Sequence, residues 1–236
     1  MLALVLAALA VAGPSTPLDP HVRFAAAVEQ AKAHLAVCRE LYVAGDVGEA
    51  ALHASHPVQE IGGRIFGPVK RVDAGLGERV QEALRRPRRD IDRKVKRADF
   101  ERNLDATVAL LDESMTRVVP PGVVESLGFK MAVLREMLAG LEKEYDEAYK
   151  NGWITQIVEY HDAYAFFVRI RALYLGVAPA VGQMSPSTPP VVDEHLAALA
   201  RAFPGITPPA APITMASLRS HVAAISSALA AVKPTS

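Results

Sequence analysis

His53-x-x-His56-Pro57-x-x-Glu60 places two imidazoles and a carboxylate in one short stretch of a chain otherwise rich in Ala, Leu and Val. Imidazole and carboxylate together bind borderline transition ions such as zinc, copper and iron. Pro57 disfavours the α conformation at His56. The expectation is therefore that His53 ends a short helix and His56 sits in a turn. Glu60 then falls in the first turn of the next helix, whose N-terminus keeps a carboxylate ionised. The same residues also suit a metal-free role, with His56 or Ser55 capping the helix and Glu60 reaching back as in a capping box. Both readings stay open on these residues alone.

His34 extends the metal reading. It lies four residues before Cys38, so the two share a helix face with Leu41 and Tyr42. If this helix and the one after Gly45-Asp46 fold back on each other, His34 reaches His53 or His56. The expected ligand set is His34, His53, His56 and Glu60. Cys38 is a further donor on that face; its other reading is a buried small hydrophobe. It is the only cysteine, which excludes an intramolecular disulfide and a Cys-rich zinc site. A second constellation is Glu159-Tyr160-His161-Asp162, in which Glu159 and Asp162 share a face. Glu159, His161 and Asp162 are candidates for a second site or for support of the first. Helix-start electrostatics and solvated charge are the alternative there.

The elements that must position these side chains read as helices. The chain has 236 residues, 50% hydrophobic but only 6% aromatic, a balance that favours helix over sheet. Phe24, Val28, Ala31, Leu35, Cys38 and Leu41 recur at helical spacing, predicting a helix over about 20–44 that Gly45 ends. A short helix over about 47–55 follows, then one opened by Pro57 and broken or closely packed near Gly67. Charged helical sequence spans about 76–119, interrupted at Pro87 and near Arg97-Ala98, and Pro120-Pro121-Gly122 stops it. Helices are then expected over about 123–150, 153–177, 191–203 and 214–232. The fold class is all-α, an up-down bundle of about eight helices with short connections. Its core is expected in residues 18–182, with a Pro-rich linker and C-terminal helices in 183–236.

Met1 to Ala12 is uninterrupted apolar sequence ending in Ala10-Val11-Ala12. Residues 1–13 thus read as a secretory signal peptide, although no Lys or Arg precedes the apolar run. The implied location is the periplasm, with a retained N-terminal anchor as the alternative. No later apolar run reads as long enough to cross a bilayer. Formal net charge is zero, so bulk charge draws the chain to no nucleic acid. The basic run Arg85-Arg86-Pro87-Arg88-Arg89, continued at Arg93, Lys94, Lys96 and Arg97, is interleaved with Asp90, Asp92, Asp99 and Glu101. That is the pattern of a solvated, salt-bridged face, with docking of an anionic partner as the other reading. No Gly-x-Ser-x-Gly elbow, phosphate-binding loop or His-Glu-x-x-His is present. No catalytic residue is assigned and a non-enzyme is expected. Glu60 or Glu159 beside a histidine is the enzymatic alternative.

Glu144-Tyr145-x-x-Ala148-Tyr149-x-x-Gly152-x-Ile154, followed by Glu159-Tyr160-x-Asp162-Ala163-x-x-Phe166, resembles a segment of exported helical domains associated with bacterial iron permeases. Upstream, His34-Leu35, Glu40-Leu41-Tyr42, Ala44-Gly45-Asp46 and His53 to Glu60 are similar in layout to periplasmic imelysin-like proteins of iron uptake. The resemblance covers residues 30–62 and 140–170. It lacks the Gly-x-His-x-x-Glu motif of the imelysin-like group and the Arg-Glu-Gly-Leu-Glu motif of the permeases. It implies metal handling in the cell envelope without naming the ion. The expectation is an exported metal-binding protein of iron or copper uptake or homeostasis, taking an iron, copper or zinc ion. A membrane transporter or an envelope redox protein would be its partner. The alternative is a metal-free structural or interaction bundle.

Overall fold

The computed structural model describes residues 19–233; the signal peptide expected at 1–13 lies outside them. The fold is all-α. Its helices are α1 (Pro20–Ala44), α2 (Val47–His53), α3 (His56–Gln59), α4 (Gly62–Val72), α5 (Ala74–Asp92) and α6 (Arg97–Val118). They continue with α7 (Pro121–Val124), α8 (Leu127–Ala148), α9 (Ile157–Met184), α10 (Thr188–Ala202) and α11 (Met215–Ala231). A two-stranded hairpin, β1 (Tyr149–Lys150) and β2 (Trp153–Ile154), joins α8 to α9. Asn151 and Gly152 turn it with φ of 53° and 91°, the left-handed pair that an Asn-Gly hairpin loop demands.

Helix α1 is the spine. Asp19 accepts from His21 N at 2.7 Å to cap its start, and Gly45, at φ 90°, ends it with its N–H directed to Leu41 and Tyr42 carbonyls. Its Ala-rich length is buried against α8 and α9 on one side and against α6, α4 and α2 on the other. Small side chains let the neighbours approach closely. Helices α8 and α9 form the most extensive pair, α10 packs on α9, and α11 packs on both α8 and α10. On the far side of α1, α4, α5 and α6 pack in sequence. A Cβ at Gly77 of α5 would stand 3.1 Å from the Lys70 backbone of α4, so glycine permits that approach.

Several sequence expectations are corrected. Pro68, Pro87 and Pro179 lie inside helices α4, α5 and α9. A proline leaves the carbonyl four residues earlier without its helical partner. For Pro87 that carbonyl belongs to Ala83, and the Thr107 hydroxyl of α6 shares its one proton between it, at 3.2 Å, and the nearer Asn103 carbonyl, at 2.8 Å. For Pro179 it belongs to Leu175, which is 68% exposed, so water can serve. The break expected near Gly67 falls instead at Glu60-Ile61, between α3 and α4. Helix α9 runs past the expected end at Val177 to Met184 and, with an 18-residue stretch of mean hydropathy 1.4, is long and apolar enough to cross a membrane by length and composition. That corrects the expectation of no such run. In this fold α9 is instead a core helix, burying Tyr160, Phe166, Phe167 and Ile170 against α8, α1 and α10. Part of the basic run is partnered as expected: Arg88 with Asp92 at 3.0 Å, Arg89 with Glu82, and Arg97 with Glu101 at 2.9 Å.

Candidate metal centre

The centre is built on one carboxylate. Asp162 lies near the start of α9 in a stripe with Phe166 and Ile170, all turned into the core. Three imidazoles converge on it. His34 Nδ1 of α1 is 2.7 Å and His53 Nδ1 of α2 is 2.8 Å from Oδ1. His56 Nδ1, at the start of α3, is 2.8 Å from Oδ2. Asp162 and His53 are 0% exposed and His34 is 1% exposed. The α1–α2 corner brings these residues together. Gly45 reverses the chain, Asp46 caps α2 by accepting from Glu49 N at 3.3 Å, and α2 then lies along α1 and touches α9. His34 packs edge-on to Phe166 and His56, which fixes its ring plane.

One ligand atom from each of His34, His53, His56 and Asp162 lies within 4.8 Å of the others. Ligands held about 2.0–2.2 Å from a common ion stand no more than about 4.4 Å apart, so the four groups are gathered close to the span that one ion requires. Burial alone would raise the Asp162 carboxyl, but the charge and hydrogen bond of His34 and the hydrogen bonds of His53 and His56 outweigh it. They hold that carboxyl well below the usual range. Burial likewise pulls His56 down, yet the hydrogen bond and charge of Asp162 leave it raised. Three nitrogens and a carboxylate in a dry setting make a donor set of the kind that zinc, copper or iron accepts.

Two further groups border the centre. His53 Nε2 is 3.3 Å from His161 Nδ1, and Glu49 Oε2 is 4.0 Å from the same nitrogen. Burial first, and the neighbouring His53 second, push His161 down to about 4. On the other flank, Glu144, Glu147 and Glu159 present carboxylate oxygens within 4.8 Å of one another. Lys143 pairs there with Glu144 at 3.1 Å and Glu147 at 2.9 Å. A cavity of about 310 Å³ lined by Gln30, His34, Glu60, Arg64, Glu144 and Phe166 lies beside the centre on this flank.

The structure thus brings His34, His53 and His56 together, with Glu60 at the rim, 3.6 Å from His56 Nδ1 and 41% exposed in its side chain. Cys38 joins none of the three groups. Of the second constellation, Asp162 is the hub, His161 a neighbour of His53, and Glu159 part of the carboxylate flank. Local geometry around Pro57 differs from expectation. His56 is the first residue of α3 and its carbonyl accepts from Glu60 N at 2.9 Å. In this position the His56 ring reaches Asp162 Oδ2 at 2.8 Å. Ser55 makes no side-chain cap; its hydroxyl donates to Ala51 O at 3.1 Å. Glu49 and Glu147 were not singled out by sequence. The signal for Glu49 is its place beside Asp46 at the start of the helix that carries His53.

Burial pushes the Cys38 thiol up to about 12, and a protonated thiol neither ligates nor attacks readily. Native protein at about pH 8 should therefore leave a disulfide thiol reagent unreacted over the time in which urea-unfolded protein reacts fully, read by absorbance. Rapid reaction in the native state would place Cys38 on an accessible surface.

The loop between α10 and α11 closes this end of the bundle. Tyr160 donates to Gly205 O at 3.0 Å and Tyr145 to Ile213 O at 2.8 Å. Phe203 packs among Tyr145, Tyr160 and Phe167. Helices α10 and α11 therefore share the core of α8 and α9. No curated protein and no solved structure matches the chain. Residues 120–236 match the family model of the iron permease-associated 4-helix bundle domain. Helices α7 to α11 fall within that match.

Proposed function

We propose that the chain is an exported metal-ion-binding protein that works beside an iron permease in the cell envelope, holding an iron or copper ion in uptake or homeostasis. One observation carries this reading: three imidazole nitrogens from three helices stand 2.7–2.8 Å from a fully buried carboxylate. His34, His53, His56 and Asp162 would hold the ion, with Glu60 at the rim 3.6 Å from His56 Nδ1. The family match supports the association with iron transport, and the apolar stretch Met1 to Ala12 supports export. The ion is cargo in this reading, and no residue acts as a catalyst.

The same distances favour a second reading. Each is an ordinary hydrogen-bond length, so three N–H groups can satisfy Asp162 with no ion, as a structural knot of the bundle. Metal analysis separates the two. Protein made without a His tag and exposed in turn to Fe(II), Cu(II) and Zn(II) is expected to retain about one equivalent of at least one of them. Folded H53A/H56A, checked by circular dichroism, is expected to retain none. Substoichiometric metal in the wild type, or an unchanged content in the variant, overturns the metal reading in favour of the structural knot.

A further inference from the structure

We infer that Glu49, His53 and His161 form a second station for a borderline divalent ion, adjoining the Asp162 centre and sharing His53 with it. The inference rests on the metal reading of that centre and adds to it a path from solvent and a rule of occupancy. His53 is the hinge between the two groups. Its Nδ1 faces Asp162 at 2.8 Å, and its Nε2 faces His161 Nδ1 at 3.3 Å. A spacing of 3.3 Å is long for a hydrogen bond between ring nitrogens and suits two ligands on one ion, about 2.0–2.1 Å from each. Glu49 supplies the negative charge. Its Oε2 is buried and has no hydrogen-bond partner among the described residues, although it lies 4.0 Å from His161 Nδ1. An orphaned carboxylate oxygen is costly to keep, and a cation between Glu49, His53 and His161 would satisfy it. The Asp46 carboxylate adds to the negative field at His161. Two imidazoles and one carboxylate form a ligand set for zinc, copper or ferrous iron rather than for calcium or magnesium.

Burial orders the two stations. The Glu49 side chain is 27% exposed, whereas those of His53 and Asp162 are 0% exposed. An ion arriving from solvent on this flank meets Glu49 first, then His161 and His53, and only then Asp162. Ring chemistry sets the occupancy. A neutral imidazole carries a proton on one nitrogen and a free lone pair on the other. His53 therefore serves one ion at a time, and the outer station must release it before the inner one can use it. The outer site is a waiting position, not a second storage site.

Equilibrium dialysis with Zn(II) alone tests this on wild type, H34A/H56A and H34A/H56A/H161A. Wild type is expected to bind about one equivalent. H34A/H56A, stripped of two inner ligands, is expected to keep Zn(II) more weakly through Glu49, His53 and His161. Adding H161A is expected to cut that residual affinity by at least about tenfold, the scale on which even outer partners of a ligand matter. If H34A/H56A does not fold, H34Q/H56Q, whose amides keep a hydrogen bond to Asp162, takes its place. Loss of all binding in the folded double variant while wild type binds overturns the outer station and leaves the inner centre standing. Residual binding untouched by H161A assigns it to His53 and Asp162 and likewise overturns the outer station. Two tightly held equivalents in wild type overturn the shared-ligand rule. No binding in wild type fails the metal reading itself.

Discussion

Asp162→Ala is expected to cost the folded chain about 3–5 kcal/mol, the usual penalty for removing one partner of a buried charged pair. The carboxylate is 0% exposed and accepts from three imidazoles at 2.7–2.8 Å. Its removal leaves three ring N–H groups in the core with no replacement, and each orphaned donor costs about 1–3 kcal/mol. Against a total stability of about 5–15 kcal/mol, this brings the variant close to unfolding at ordinary temperature. Asp162→Asn separates packing from charge. The amide keeps the volume, and its oxygen can still accept, but its NH2 must face a ring nitrogen that has turned acceptor. A smaller loss of about 1–3 kcal/mol is expected, while retention of a transition ion should fall by at least about tenfold. Urea denaturation followed by circular dichroism, with metal analysis of both variants, checks the pair. Asp162→Ala with wild-type stability would remove Asp162 from its place as hub. Asp162→Asn with wild-type metal affinity would leave the three imidazoles as the sole ligands.

This centre lies at a seam in the chain. Its carboxylate falls within residues 120–236, which match the iron permease-associated domain, whereas its imidazoles come from residues 34, 53 and 56, before that stretch. The histidines were legible because their types and spacing are unusual among Ala, Leu and Val, and because a Gly-Asp corner must fold two helices together. The carboxylate was harder to rank. Glu60 and Asp162 are equally acidic as letters, and Glu60 is nearer the histidines along the chain. Burial decides between them, since the Glu60 side chain is 41% exposed and Asp162 is not exposed at all. One signal was present in the sequence. Asp162, Phe166 and Ile170 recur every four residues, which puts a carboxylate on the apolar face of a core helix. A charge in that position needs partners drawn from other helices.

The helix pattern was legible for the same physical reason, with apolar periodicity marking the faces that pack. Prolines misled it. Pro87 reads as an interruption only while the free Ala83 carbonyl has no partner, and the Thr107 hydroxyl that partly satisfies it comes from the next helix. Such rescue is a tertiary fact and leaves no local mark. The reach of α9 to Met184 was hidden similarly, because Pro179 stands where the exposed Leu175 carbonyl can turn to water.

The flank of the centre makes a pH prediction that needs no ion. Burial, the largest influence, raises the Glu144 carboxyl to about 7; Lys143 opposes the rise, and Asp162 and Glu60 add to it. One oxygen, Oε2, has no hydrogen-bond partner among the described residues. The ordinary value for the group is 4.5, so between 4.5 and about 7 the folded chain keeps a proton that the unfolded chain has lost. Stability from this group is therefore fully present below 4.5 and is lost as pH rises through about 7, beyond which the loss is constant. Each unit of such a shift is worth about 1.4 kcal/mol. The value of about 7 already includes the opposing pull of Lys143. Glu144→Gln removes the titration and keeps the shape. It is expected to be more stable than wild type by about 3 kcal/mol at pH 8 and indistinguishable from it at pH 4.5. Paired urea melts at the two pH values cancel the distant carboxylates, which both proteins share, and leave Glu144 together with the neighbouring Glu159. A difference that does not change with pH, or a variant weaker than wild type at pH 8, would mean that the Lys143 pair outweighs burial and that Glu144 is charged in the neutral fold.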